Sequence, residues 1–345
     1  GYNGHIFWDS ELWMFPPMLL LNKGIAESMI DYRIDRLMAA RKKAMAYGFK
    51  GAMFPWESDD YGEESTPTFA LTGPLEHHIT ADISIACWNY YCLTRDGQWL
   101  RTKAFPLMKA VADFWVSRVT RNDDGSYSIC NVVGADEYAN GVDDNAFTNG
   151  AAIRALEYAC EAARICNEPV PEIWEEVGKG IRILRFKDGV TREHATYNGE
   201  MIKQSDVNLL GYPLYFVGDA ESQKKDMEYY VDKIDPQNGP AMSYSVFCVQ
   251  YARMGDAKRA YEMFCRCYQP NLRAPFGVLA ETPTSDNPYF MTGAGGLLQA
   301  VISGFCGLQI TDSGVEQLSS ILPAHWKKVT VKGVGPEKKM YVRER

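Results

Sequence analysis

The stretch AMSYSVFCVQYARMGDAKRAYEMFCRCYQ, residues 241–269, decides how the chain is read. Apolar residues recur at helical spacing on both sides of Met254-Gly255-Asp256. Gly followed by Asp ends one helix and caps the next, so the stretch is two helices, 241–254 and 256–269, joined by a tight turn. The same pattern recurs outward from there. Residues 24–47 place Ile25, Met29, Ile30, Ile34, Leu37, Met38, Arg41 and Ala44 on one 3.6-residue stripe. Residues 77–94 and 98–119 form another pair, joined by Thr94-Arg95-Asp96-Gly97. Further helices are expected at 146–167, 172–184, 204–216 and 220–233. Strand signals are confined to Tyr127–Val133 and Val329–Val334.

Repeated antiparallel helix pairs build either an open solenoid or a closed toroid. A solenoid requires a fixed repeat length and self-similar units, and the chain has neither. Its long loops, 1–16, 51–76, 130–149, 185–203 and 273–293, all fall between one helix pair and the next. Long loops without structure of their own are usually functional. In a toroid that phase gathers them at one end. The expected fold is therefore all-α, an (α/α)6 toroid of about eleven helices with a pocket at its mouth.

Composition narrows the function. The chain has 345 residues, 46% hydrophobic and 23% charged, an ordinary globular balance. Its net charge is −8. Residues 325–345 are nevertheless basic, with seven Lys/Arg against two Asp/Glu, and read as a strand-forming end. An acidic body argues against a nucleic-acid partner. The longest apolar run, Leu297–Leu308, is interrupted by Gln299, Ser303 and Gly304, too short for a membrane span. Nine cysteines without a CxxC pair fit buried thiols in a reducing compartment, so a cytoplasmic location is expected. No metal spacing, phosphate loop or dinucleotide fingerprint is present, and no cofactor is expected.

The loops carry the composition of a sugar site. Aromatic faces cover the apolar side of a pyranose, while carboxylates, amides and Lys bond its hydroxyls. Gly1-Tyr2-Asn3-Gly4-His5-Ile6-Phe7-Trp8-Asp9-Ser10-Glu11 sets three aromatics, a His and two acids in eleven residues. Phe54-Pro55-Trp56-Glu57-Ser58 runs into Asp59, Asp60, Glu63 and Glu64. Asp136-Glu137-Tyr138 is followed by Asp143-Asp144-Asn145-Ala146-Phe147-Thr148-Asn149. Taken singly, each also fits a solvated acidic loop around a buried aromatic anchor.

In order and content these motifs, together with Lys203-Gln204-Ser205-Asp206-Val207, resemble glycoside hydrolase family 65, over residues 1–314. The resemblance implies a barrel domain at 1–314, short of its first helix, and the start of a C-terminal β segment at 315–345. The family's N-terminal β-sandwich is expected to be absent. It places the general acid at Glu137. An acid that protonates a glycosidic oxygen needs burial or nearby negative charge to keep its proton, and Asp136, Asp143 and Asp144 offer that charge. The family has Pro and His where this chain has Ala135 and Ala139. Trp8, Asp9, Trp56, Glu57, Lys203 and Gln204 match residues that hold the non-reducing glucose. His78 matches a segment at the pocket wall, although a lone helical His also fits a structural role.

The family holds phosphorylases and hydrolases, both inverting. A phosphorylase needs donors for phosphate, an inverting hydrolase a carboxylate base for water. The phosphorylases' His-x-x-Ser-x-x-Gly corresponds here to Tyr289, Thr292 and Gly295, without the His. Leu279-Ala280-Glu281-Thr282-Pro283 resembles the hydrolase branch, where Glu acts as base. The implied activity is an inverting α-glucosidase removing an α-1,2-linked glucose from a disaccharide or from glucosylgalactosyl-hydroxylysine. A disaccharide phosphorylase is the alternative, and an inactive carbohydrate-binding helical protein is the alternative of another class.

Overall fold

A computed structural model of the chain describes residues 2–216, 219–287 and 289–345. Gly1 of the opening motif lies outside them.

Thirteen α-helical segments are described: α1 Phe15–Leu21, α2 Lys23–Asp35, α3 Leu37–Ala46, α4 Thr72–Leu75, α5 His78–Thr94, α6 Gly97–Trp99, α7 Phe105–Arg118, α8 Ala146–Cys166, α9 Glu172–Gly180, α10 Ala220–Tyr230, α11 Ser243–Arg253, α12 Ala257–Arg266 and α13 Met291–Gln299. Local chemistry explains their ends. Asn145 Oδ1 accepts from Thr148 N at 2.9 Å to start α8, and Asn167 ends it in the left-handed region. Between α11 and α12, Gly255 has φ +85° and Asp256 caps Arg259 N at 3.0 Å.

Wide π turns, Ser10–Met14 and Leu100–Ala104, lead into α1 and α7. Each stands just ahead of proline, Pro16-Pro17 in α1 and Pro106 in α7. A proline has no N–H to give the preceding turn but is well placed in the first turn of a helix. A third π turn, Ala300–Phe305, continues α13.

The toroid is closed. Its inner ring runs α1, α5, α8, the 3-10 turn Val207–Leu210, α11 and α13, each packed on the next, with α13 back against α1 and the Ser10–Met14 turn. Outside them α2 covers α1 and α5, α7 covers α5 and α8, and α9, α10 and α12 cover α8, the 3-10 turn and α11. The core is this double layer, with Trp8, Trp13, Trp115, Trp174, Phe54, Phe114 and Phe147 among its largest fully buried side chains.

The expected helix 204–216 reduces to that single 3-10 turn. Gly211 and Pro213 stop it, since the residue before a proline is pushed out of the α region. Its apolar residues Val207, Leu209 and Leu210 are buried nonetheless, so periodicity alone misread a buried turn as a helix. The expected strand Tyr127–Val133 shrinks to Tyr127–Ser128.

Among the described residues the β-strands form four antiparallel hairpins: β1 Thr120–Arg121 with β2 Tyr127–Ser128, β3 Leu272–Arg273 with β4 Val278–Leu279, β5 Leu308–Thr311 with β6 Gly314–Gln317, and β7 Lys328–Val334 with β8 Lys339–Glu344. The last pairs Val331 with Tyr341 and holds most of the basic tail. The terminal β structure starts at Leu308, before the boundary expected at 315.

Candidate active site

One cavity of about 290 Å³ opens where the inner ring begins its helices. Its walls come from segments that lead into those helices: Tyr2–Ser10 before α1, Glu137 before α8, Lys203 and Gln204 before the 3-10 turn, Pro240 and Met242 before α11, Glu281 and Tyr289–Thr292 at the start of α13. Helix N-termini carry partial positive charge and unpaired N–H groups. They suit a cavity that gathers three carboxylates, Asp9, Glu137 and Glu281.

Of the residues singled out from sequence, Trp8, Asp9, Trp56, Glu137, Lys203, Gln204 and Glu281 line this cavity together. Glu57 stands one layer back, accepting from His5 Nδ1 at 2.7 Å, and His5 is on the wall. His78 does not reach the cavity. It is fully buried, with Nδ1 2.8 Å from Asp82 and Nε2 2.9 Å from Glu76. Burial opposes its charge, but those carboxylates outweigh burial and push its pKa up to about 10. The His78 ring meets the Trp8 ring edge-on at 4.8 Å and Phe147 at 4.9 Å. It supports the aromatic wall from behind. The first residue of α5 faces the core, which its sequence neighbours could not disclose.

Two further carboxylates tie the loops. Asp136 accepts from Lys203 N at 2.7 Å and from Tyr138 N at 3.2 Å. Buried Asp206 accepts from Asn145 Nδ2 at 2.9 Å, Phe147 N at 3.2 Å and Asp136 N at 3.3 Å. Together they fix the loop before α8 to the loop carrying Lys203. A Cβ on Gly134 would lie 2.3 Å from Asn145 and 2.7 Å from Asp206, so only glycine fits beneath this crossing.

The family profile described as "Glycosyl hydrolase family 65 central catalytic domain" matches residues 1–181. A kojibiose hydrolase of Mucilaginibacter mallensis is 53% identical over 342 residues, 99% of this chain and 51% of that protein. The chain belongs to glycoside hydrolase family 65. A protein-glucosylgalactosylhydroxylysine glucosidase of Dictyostelium discoideum is 42% identical, covering 92% of this chain and 45% of its own length. A kojibiose phosphorylase of Thermoanaerobacter brockii is 31% identical, covering 96% and 49%. The chain thus spans about half the length of the curated relatives it matches. In structure it resembles a putative kojibiose phosphorylase from the human microbiome, with a TM-score of 0.79 at 19% identity, over 99% of this chain and 55% of that one. That likeness is one of fold, the (α/α)6 toroid.

In this family 65 chain the carboxylates are held differently. Lys203 Nζ donates to Glu137 Oε2 at 2.6 Å. Burial opposes the ammonium, but Glu137, Glu281 and Glu76 hold its pKa above that of an ordinary lysine. Gln204 Nε2 reaches Glu137 Oε1 at 3.4 Å and the Ala135 carbonyl at 2.5 Å. Asp9 accepts from Thr292 Oγ1. Its pKa is pushed up to about 6, chiefly by burial, against the Thr292 bond and with help from Glu137 and Glu281. Glu281 accepts from the phenol of Tyr2 at 2.9 Å.

Sequence reasoning quoted Tyr2 and Thr292 but gave neither this contact. It named Glu64 only as one acid of its loop, whereas the Glu64 carboxylate accepts from Trp56 N and Glu57 N, both at 3.0 Å, and fixes that loop. The visible signal was an acid shortly after an aromatic loop, which equally fits solvent. Among the described residues no cluster of His, Cys, Asp and Glu is arranged to hold a metal, and no helix is long and apolar enough to cross a membrane.

Proposed function

We propose that this chain is the catalytic part of an inverting α-glucosidase that hydrolyses a terminal α-1,2-linked glucose. Glu137 is the general acid, giving its proton to the glycosidic oxygen as the bond to the anomeric carbon breaks. Glu281 is the base, taking a proton from the water that attacks from the opposite face. Asp9 accepts from glucose hydroxyls. Trp8 and Trp56 cover the apolar ring face, and Lys203 and Gln204 fix Glu137. The helical barrel carries this chemistry, with the β segment that starts at Leu308 appended.

The observation that carries the reading is a second glutamate, Glu281, in the same cavity as Glu137, with Tyr289 at the place matching the phosphorylase His. The greater likeness to the kojibiose hydrolase than to the phosphorylase supports it. A phosphorylase would have to hold a phosphate dianion beside Glu281 and Asp9. A non-catalytic sugar binder has no need of both glutamates. The substrate is kojibiose or a similar α-1,2-glucoside, and a glucosylgalactosyl-hydroxylysine glycopeptide is the second candidate. No nucleic acid or membrane is involved. All nine cysteines are free thiols, which fits a cytoplasmic location.

Screening α-linked glucosides with the purified full-length protein tests this directly. Kojibiose and glucosyl-α-1,2-galactosides should be turned over in preference to maltose and trehalose. Preferred turnover of trehalose or maltose would overturn the α-1,2 assignment.

A further inference from the structure

Glu281 is fixed in two ways. Its main chain is tied on both sides, because the Glu281 carbonyl accepts from Ala241 N at 3.0 Å and from Asn271 Nδ2 at 2.9 Å. Its side chain has one hydrogen-bond partner among the described residues, the phenol of Tyr2, which donates to Oε2 at 2.9 Å. Oε1 accepts no bond from a described residue.

Tyr2 is itself held in an unusual place. It opens the 3-10 turn Tyr2–Gly4, in which Tyr2, Asn3 and Gly4 have φ of 53°, 55° and 75°. The left-handed region is unfavourable for a bulky residue with a Cβ, and such strain persists only where the surroundings impose it. The surroundings are aromatic. The Tyr2 ring meets Phe7 edge-on at 6.1 Å and Phe290 at a tilt of 55° and 6.2 Å. Three tyrosines among the described residues have positive φ, and two of them, Tyr2 and Tyr289, line the cavity. Burial, with Glu281 and Asp9 nearby, raises the phenol well above its ordinary pKa, so it remains a donor.

We propose that Tyr2 is the positioning residue for the base: its phenol holds one oxygen of Glu281 and leaves the other aimed at the attacking water. This rests on the reading of Glu281 as base. A carboxylate free to rotate would present the wrong oxygen or the wrong angle for part of the time. Misplacement of a catalytic group by about 1 Å can cost on the order of 10²-fold in rate. Tyr2 takes no proton and does not touch the glycosidic oxygen, so its effect is on the water side of the reaction alone.

The test compares Y2F, E137Q and E281Q in the full-length protein on two substrates, kojibiose and α-glucosyl fluoride. Fluoride leaves without a proton, so a variant damaged only on the acid side still turns over the fluoride, and one damaged on the water side loses both. Y2F should lose roughly 10- to 100-fold in kcat on both substrates with KM unchanged. E281Q should fail on both and E137Q on kojibiose only. Near wild-type turnover by E281Q overturns the base reading, and the role of Tyr2 with it. If E281Q is inactive, three results overturn the role of Tyr2 alone: wild-type kcat in Y2F, a loss confined to kojibiose, or a rise confined to KM. Y2F keeps the ring and its contacts, and its melting curve checks the fold. If the melting point falls, 3-fluorotyrosine placed at position 2 changes the donor without changing the fold, and an unchanged kcat then counts against the proposal.

Discussion

Asp9 shows what the cavity asks of a single residue. Burial, with Glu137 and Glu281 nearby, lifts its pKa to about 6, against the bonds it accepts from Thr292 and from its own backbone. Between about pH 4 and pH 6 the folded chain keeps a proton that the unfolded chain has already released. Stability therefore falls as pH rises through that window and stays lower above it. Asp9→Asn should be more stable than the wild type near neutral pH, by up to about 3 kcal/mol, with the gap closing below about pH 4. Denaturant unfolding at the two pH values measures this, and a neutral-pH loss of stability in Asp9→Asn would contradict it. The same variant should lose roughly 10- to 100-fold in kcat/KM, the worth of one charge-assisted hydrogen bond to a glucose hydroxyl. A residue that costs stability and is needed for turnover is what a binding site requires. That these aromatic residues and acids belong to one site was legible in the sequence, and they line one cavity. That His78 stands behind Trp8 was not, because the choice between cavity and core depends on which way the first turn of α5 faces.

At the scale of elements, the helix pairs whose period and caps agree were legible, as the α11–α12 hairpin shows with its Gly255-Asp256 turn. Elements were misread where a residue usually taken as a breaker acts as a device for starting or packing a helix. Pro16, the last residue of the expected loop 1–16, and Pro17 stand in the first turn of α1. In α13, Gly293, Gly295 and Gly296 replace side chains so that the helix can approach its neighbours. A Cβ on Gly295 would lie 2.6 Å from the Trp13 carbonyl, and one on Gly296 would lie 2.9 Å from Ser245 Oγ. Gly295→Ala should therefore destabilise the chain by about 1–3 kcal/mol through overpacking. Gly24→Ala, in the first turn of α2, meets nothing closer than 3.7 Å and should stabilise by about 0.4–1 kcal/mol. Thermal melts of the two variants check the pair, and equal shifts in the same direction would contradict close packing at Gly295. Because Thr292 and the cavity wall at Met291 belong to the same helix, the approach that needs Gly295 also sets where Asp9 is held.

The whole molecule converts a ring of helices into one chemical centre. The inner elements close on themselves, and the loops that lead into them carry residues from Tyr2 to Thr292 into a single cavity. The toroid was legible in the uneven loops and in the absence of a repeat; the convergence was foreshadowed by motif order. What no local pattern could give was the contact between positions far apart in the chain, Tyr2 with Glu281 and Asp9 with Thr292, since these exist only once the ring is shut. The central claim is that water, activated by Glu281, attacks an α-linked glucose. The most direct measurement is proton NMR of fresh kojibiose hydrolysate from the full-length protein, with and without phosphate. The account predicts β-glucose as the first anomer and no faster cleavage with phosphate. First appearance of α-glucose, or release of β-glucose 1-phosphate faster than hydrolysis, would contradict it.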